Sequence, residues 1–160
     1  MNSHILVGFS TKEGDWLSAL IRFFSGHWHS HCVLVSPDRK MIAESTAFPF
    51  PDPLDGEMRD GVRVVPIEYL HRKDAVEIRK IEHPYPELVW EHADKLAREK
   101  VKYDHKRIRD WLFRMSDGDE KKVSCEELIL ICAARGGHAL LPADVRFPTP
   151  RDLYLLSKEI

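Results

Sequence analysis

The chain has 160 residues, enough for one domain with a real core, and its 43% hydrophobic and 31% charged residues describe a globular protein rather than a disordered one. Its formal net charge of -2 provides no field for general nucleic-acid binding. Cys32, Cys125 and Cys132 are too few, and odd in number, for a disulfide framework, so a reducing compartment fits better.

The chain opens Met-Asn-Ser-His-Ile-Leu-Val-Gly, without the basic start and long apolar core of a signal peptide, and no apolar run elsewhere is long enough to span a membrane. A cytoplasmic location is therefore expected, with release by another route if the protein acts outside. Ile5–Phe9 is a short apolar run of strand type. Asp15 can cap a helix over Trp16–Phe24, where Trp16, Leu17, Leu20, Ile21, Phe23 and Phe24 recur at helical spacing, and Gly26 ends it. His27–Val35 reads as a strand, Ser36–Arg39 as a four-residue turn and Lys40–Ser45 as the returning strand.

Thr46–Gly61 is rich in Pro, Asp and Gly and is expected to form a long surface loop, of the kind that rims binding clefts. Val62–Ile67 and Ala75–Ile81 are further strand candidates. Leu88–Lys100 is expected to be a helix with Val89, Ala93, Leu96 and Ala97 inward, and Lys106–Met115 another, followed by a loop at Asp117-Gly118-Asp119. Ser124 and Glu127 form a capping-box pattern before a helix apolar on nearly every side, which Gly136 and Gly137 end. Thr149 and Pro150 mark the N-cap and first position of a terminal helix.

Cys125 falls on the first position of that buried helix. A thiol there faces unpaired backbone N–H groups and the positive end of the helix dipole, which favour a thiolate. Glu126 and Glu127 act the other way as anionic neighbours, and the plainer reading is a cysteine that only packs, as Cys132 is expected to do. A cysteine nucleophile needs a base and the base an orienting group. If Ser36–Arg39 form the loop, Val35 faces Lys40 and His31 sits directly opposite Glu44 on one face. A carboxylate so placed fixes the imidazole tautomer and stabilises the imidazolium. The alternative is an ordinary surface pair of little energetic consequence.

Leu20-Ile21-Arg22-Phe23-Phe24, Ser30-His31-Cys32-Val33-Leu34-Val35, Ile42-Ala43-Glu44, Tyr103-Asp104, Ser124-Cys125-Glu126-Glu127-Leu128 and Thr149-Pro150-Arg151-Asp152-Leu153 form an ordered set over most of the chain. This set resembles the circularly permuted NlpC-type papain-like hydrolases, which include the YiiX-like and lecithin:retinol acyltransferase-like proteins. Glu126 departs from that pattern, where Ser is frequent. The resemblance implies a single α+β domain over residues 1–160, with a small antiparallel sheet packed against the buried cysteine-bearing helix. It also implies Cys125 as nucleophile, His31 as general base and Glu44 as third member. The implied substrate is a peptide or amide, plausibly in peptidoglycan, or else a lipid ester in an acyl-transfer reaction; a binding module without turnover is the non-enzymatic alternative.

Trp28 and Tyr103 are candidate substrate contacts, with Phe48 and Phe50 as further candidates for lining a groove. His27, His29 and His31 alternate and would share a strand face, but three ligands along one strand converge poorly and no Cys-x-x-Cys pair completes them, so His27 and His29 are expected to be solvated near the cleft. Lys102, His105, Lys106, Arg107, Arg109 and Arg114 read as a solvated basic face. There is no Gly-rich phosphate loop, dinucleotide fingerprint or zinc-peptidase motif, so neither a cofactor nor a metal is expected.

Overall fold

The computed structural model describes residues 3–11, 15–51, 56–71, 73–104, 122–142, 145 and 148–160. Period-two alternation builds its sheet. In β1 (His4–Thr11), Ile5, Val7 and Phe9 enter one core and Leu6 the other, so both faces are covered. The strands β2 (His31–Val35), β3 (Met41–Pro51), β4 (Met58–Pro66) and β5 (Asp74–Glu82) complete an antiparallel sheet of order β4-β3-β2-β1-β5. With the helices, the architecture is mixed α+β.

One face of the sheet packs against α3 (Pro86–Arg98), α4 (Cys125–Arg135) and α5 (Pro150–Leu156). Val89, Ala93 and Leu96 of α3 and Leu128, Ile129 and Cys132 of α4 are the buried knobs of that core. On the other face, Leu70 of the short helix α2 (Glu68–His71) closes over Val33, Val35 and Ile42. The two-residue strands β6 (Lys102–Tyr103) and β7 (Lys122–Val123) pair in parallel and deliver the chain to α4. Thr149 caps α5 through a reciprocal bond with Asp152.

Helix α1 (Trp16–Ser25) forms as expected, with Asp15 accepting from the Ser18 N–H. Its apolar stripe is only partly covered, however: Leu20 and Ile21 are half-buried, whereas Trp16 and Phe23 are 74% and 79% exposed. Ser18 is buried, and its hydroxyl meets that of Ser30 at 2.5 Å. Periodicity identified the helix but not what covers it.

Three further expectations are corrected. Residues 27–30 are not strand; β2 begins only at His31. Thr46–Gly61 is not a long loop, because β3 runs on to Pro51 and β4 begins at Met58. Pro49 and Pro51 are tolerated there because β2 pairs with β3 only around Ala43 and Ile42, leaving the far half of β3 beside β4 alone, with an irregular register between Thr46 and Phe50. The hairpin register is also different: Leu34 opposes Ala43 and Val35 opposes Ile42. Just past β2, the Ser36 N–H still donates to the Met41 carbonyl at 2.9 Å and its Oγ accepts from the N–H groups of Lys40 and Met41, so the loop starts one residue later. The expected helix Lys106–Met115, the Asp117–Asp119 loop and the basic cluster apart from exposed Lys102 lie outside the described residues.

Gly61 fixes how β4 meets the segment entering β6. Its φ is +109°, and a Cβ there would come within 2.1 Å of the Val101 carbonyl oxygen. That carbonyl accepts the N–H of the next residue, Val62, at 2.8 Å. Only glycine combines this backbone conformation with so close an approach.

Candidate functional site

The start of α4 is set by local chemistry. Ser124 is extended at the N-cap, and its N–H donates to Glu127 Oε2 at 2.9 Å, completing a capping box. Cys125 is the first helical residue and is only 4% exposed. It borders a cavity of about 220 Å3. Helix α1 contributes Ser18 and Ile21 to the wall, β2 contributes His31, and Phe48 and Tyr103 stand around it.

His31 Nε2–H donates to Glu44 Oε2 at 2.7 Å. The two are not directly opposed, since the observed register places Glu44 across from Val33. A two-residue slip leaves both side chains on the same face, and they meet along the diagonal. Glu44 is fully buried and accepts three more bonds: from Arg63 Nε at 2.9 Å and Nη2 at 2.5 Å, and from Lys73 Nζ at 2.7 Å. Arg63 is its direct cross-strand partner on β4. The guanidinium also stacks on Phe50, 4.4 Å from the ring centre.

These contacts set the charges. Burial alone would raise the Glu44 carboxyl, but the hydrogen bond and charge of His31, with Lys73 and Arg63, hold it well below the usual range. For His31, burial and Lys73 oppose a charged ring; hydrogen bonds to Cys125 and Glu44 outweigh them and raise its pKa. With Nε2 engaged by Glu44, Nδ1 is the ring nitrogen left for the sulfur. The Cys125 thiol is held well below the ordinary cysteine value, first by a hydrogen bond from the Cys32 side chain and then, against burial, by His31. Cys132 differs: burial pushes it up to about 12, in keeping with a packing role.

Cys125, His31 and Glu44 are thus brought together. Of the two expected substrate contacts, Tyr103 lines the cavity, whereas Trp28 is 79% exposed and is not among the lining residues. His29 is not solvated: it is buried beside Phe9 and Tyr154, and its Nε2–H donates to the Ala75 carbonyl. Burial lowers its pKa. Among the described residues, no group of three or more His, Cys, Asp or Glu side chains is arranged to hold a metal ion.

Sequence reasoning missed Arg63, Lys73, Ser18 and the reach of Cys32. A signal existed for Arg63 alone, as a cation inside an otherwise apolar strand beside the strand carrying Glu44. Cys32 points away from His31 along β2 into the core that contains Cys125.

No protein-family model matches the chain, and no curated protein matches it. Among the described residues, no helix is long and apolar enough to cross a membrane.

Proposed function

We propose that the protein is a cysteine hydrolase of the papain-like, permuted NlpC type, acting on a peptide or amide bond. One observation carries this reading: His31, held by buried Glu44 at 2.7 Å, and Cys125, at the head of α4, line the same cavity. A nucleophile, a base and an orienting acid in series form the arrangement that activates a thiol.

In the proposed reaction, His31 takes the thiol proton and the Cys125 sulfur attacks the substrate carbonyl carbon. The backbone N–H of Cys125, in the unpaired first turn of α4, is a natural donor to the oxyanion. Collapse breaks the C–N bond, His31 protonates the leaving amine, and a thioester remains on Cys125. Water then attacks the thioester, giving its proton to His31, and release of the acid returns the proton to the thiol. Glu44 stays ionised throughout, because Arg63 and Lys73 hold it so.

Among the described residues, the wall around Cys125 carries Asp15, Thr46, Arg63 and Lys73 beside Ile21, Phe48 and Tyr103. A panel of peptide amides and acyl esters, followed by intact-mass detection of the acyl adduct, tests the reading. The expected result is an adduct on the wild-type chain and none on Cys125→Ala. Turnover that survives Cys125→Ala removes the nucleophile assignment.

A further inference from the structure

Three short contacts lead away from the Cys125 sulfur along the start of α4. Sγ lies 3.2 Å from Glu126 Oε2, Glu126 Oε1 lies 2.7 Å from Ser124 Oγ, and Ser124 Oγ lies 2.9 Å from Glu127 Oε2. Each is a hydrogen-bond distance and needs one proton between its two atoms. The hydroxyl brings one proton. The thiol brings one, or none when His31 has taken it. An ionised carboxylate brings none. With both acids ionised, the three contacts would share at most two protons, and the single hydroxyl proton would face two anionic oxygens.

The missing proton belongs on Glu126 rather than Glu127. Glu127 is half-buried and holds the Ser124 backbone N–H as the acid of the capping box, the role of a carboxylate. Glu126 is buried, and among the described residues its side-chain partners are Ser124 and Cys125, neither of them a cation. An anion in that place would have no described cation to offset its desolvation.

We propose that Glu126 is a neutral carboxylic acid in the working site and serves as the hydrogen-bond partner of the Cys125 sulfur, accepting from the thiol and donating to the thiolate. The proposal rests on the hydrolase reading for its use, though not for its proton count. In the resting chain, Cys125 S–H donates to Oε2, the carboxyl O–H on Oε1 donates to Ser124 Oγ, and the hydroxyl donates to Glu127. All three contacts are then filled in one direction. When His31 takes the thiol proton, a half-turn of the carboxyl group presents its O–H to the thiolate, Ser124 turns its hydroxyl to the other carboxyl oxygen, and Glu127 keeps the Ser124 N–H. Burial, with the charges of Cys125 and Glu127, independently pushes the Glu126 carboxyl well above the ordinary glutamate range. The anionic neighbour that would oppose a thiolate is therefore a donor that supports one.

Carboxyl-carbon NMR on the intact, 13C-labelled wild-type chain tests the proton directly. Glu126 should remain protonated at pH 7, where Glu44 is ionised; a Glu126 signal that titrates near 4.5 with ordinary glutamates overturns the proposal. Iodoacetamide labelling of Cys125 tests the role. Glu126→Ala should slow labelling at neutral pH about tenfold, the effect of one lost hydrogen bond, and Glu126→Gln, which can both accept and donate, should restore most of the rate. Faster labelling in both variants, or no recovery in Glu126→Gln, overturns it. If wild-type Cys125 labels as slowly as Cys132, the hydrolase reading fails, and the NMR titration still decides whether Glu126 carries its proton.

Discussion

Two buried glutamates flank Cys125, and their surroundings are opposite. Glu44, on the hairpin side, receives bonds from His31, Arg63 and Lys73 and is held ionised. Glu126, on the helix side, meets a hydroxyl and a thiol and is pushed toward the neutral form. The same side chain serves two purposes because its neighbours differ. Near the base it must be an anion that stabilises an imidazolium; near the nucleophile an anion would repel the thiolate.

The strongest way to break this contrast is Glu44→Ala. It leaves Arg63 and Lys73, two cations, beside the His31 ring without their shared anion and should cost about 3–5 kcal/mol, read as a lower urea midpoint. Gly61→Ala attacks the same side indirectly, through the strand that carries Arg63. A Cβ against the Val101 carbonyl at φ +109° should cost on the order of 3 kcal/mol by the same measurement, while Ser124 and Glu126 keep their contacts.

The pH dependence of stability sharpens the contrast, because the two acids act with opposite signs. The folded-state pKa of Glu44 lies below the unfolded value of 4.5, so its contribution is present above that value and is lost on acidification through the folded pKa. That of Glu126 lies above 4.5, so stability falls as pH rises from there toward its folded pKa. His31, raised above 6.5, adds to the second trend: its contribution is present below that value and is lost as pH rises through the folded pKa. Denaturant titrations across pH should show Glu126→Gln flattening the decline that sets in above 4.5 and Glu44→Gln flattening the loss on acidification below it. The smallest expected effect is Ser124→Ala, about 1 kcal/mol for a lost cap, with slower Cys125 labelling because Glu126 loses its second partner.

How much of this could be read from the chain follows the same division. The helix side is local: Ser124, Cys125 and Glu127 lie within four residues, and capping chemistry fixes them without reference to the fold. The hairpin side depends on register. Alternation puts His31 and Glu44 on one face, and the observed turn keeps them there only because its register differs by two residues. Lys73 could not be anticipated, since its place beside Glu44 comes from packing the segment before β5 against β3. The Pro-rich half of β3 read as loop because proline disfavours inner strands, and only the sheet order shows that this half has a single neighbour. Exposure of Trp16 and Phe23 on α1 was equally out of reach, because a helical period does not say what packs against it.

The central claim is that Cys125 is poised to give its proton to His31, with the neutral acid of α4 ready to support the thiolate that forms. Its most direct test is the pH profile of iodoacetamide alkylation of all three cysteines in the intact chain, followed residue by residue by peptide mass. The account predicts that Cys125 is modified at neutral pH well before Cys32 and Cys132, with a rate that falls when His31 is changed to Ala. Slow and equal modification of the three, unaffected by His31→Ala, would contradict it.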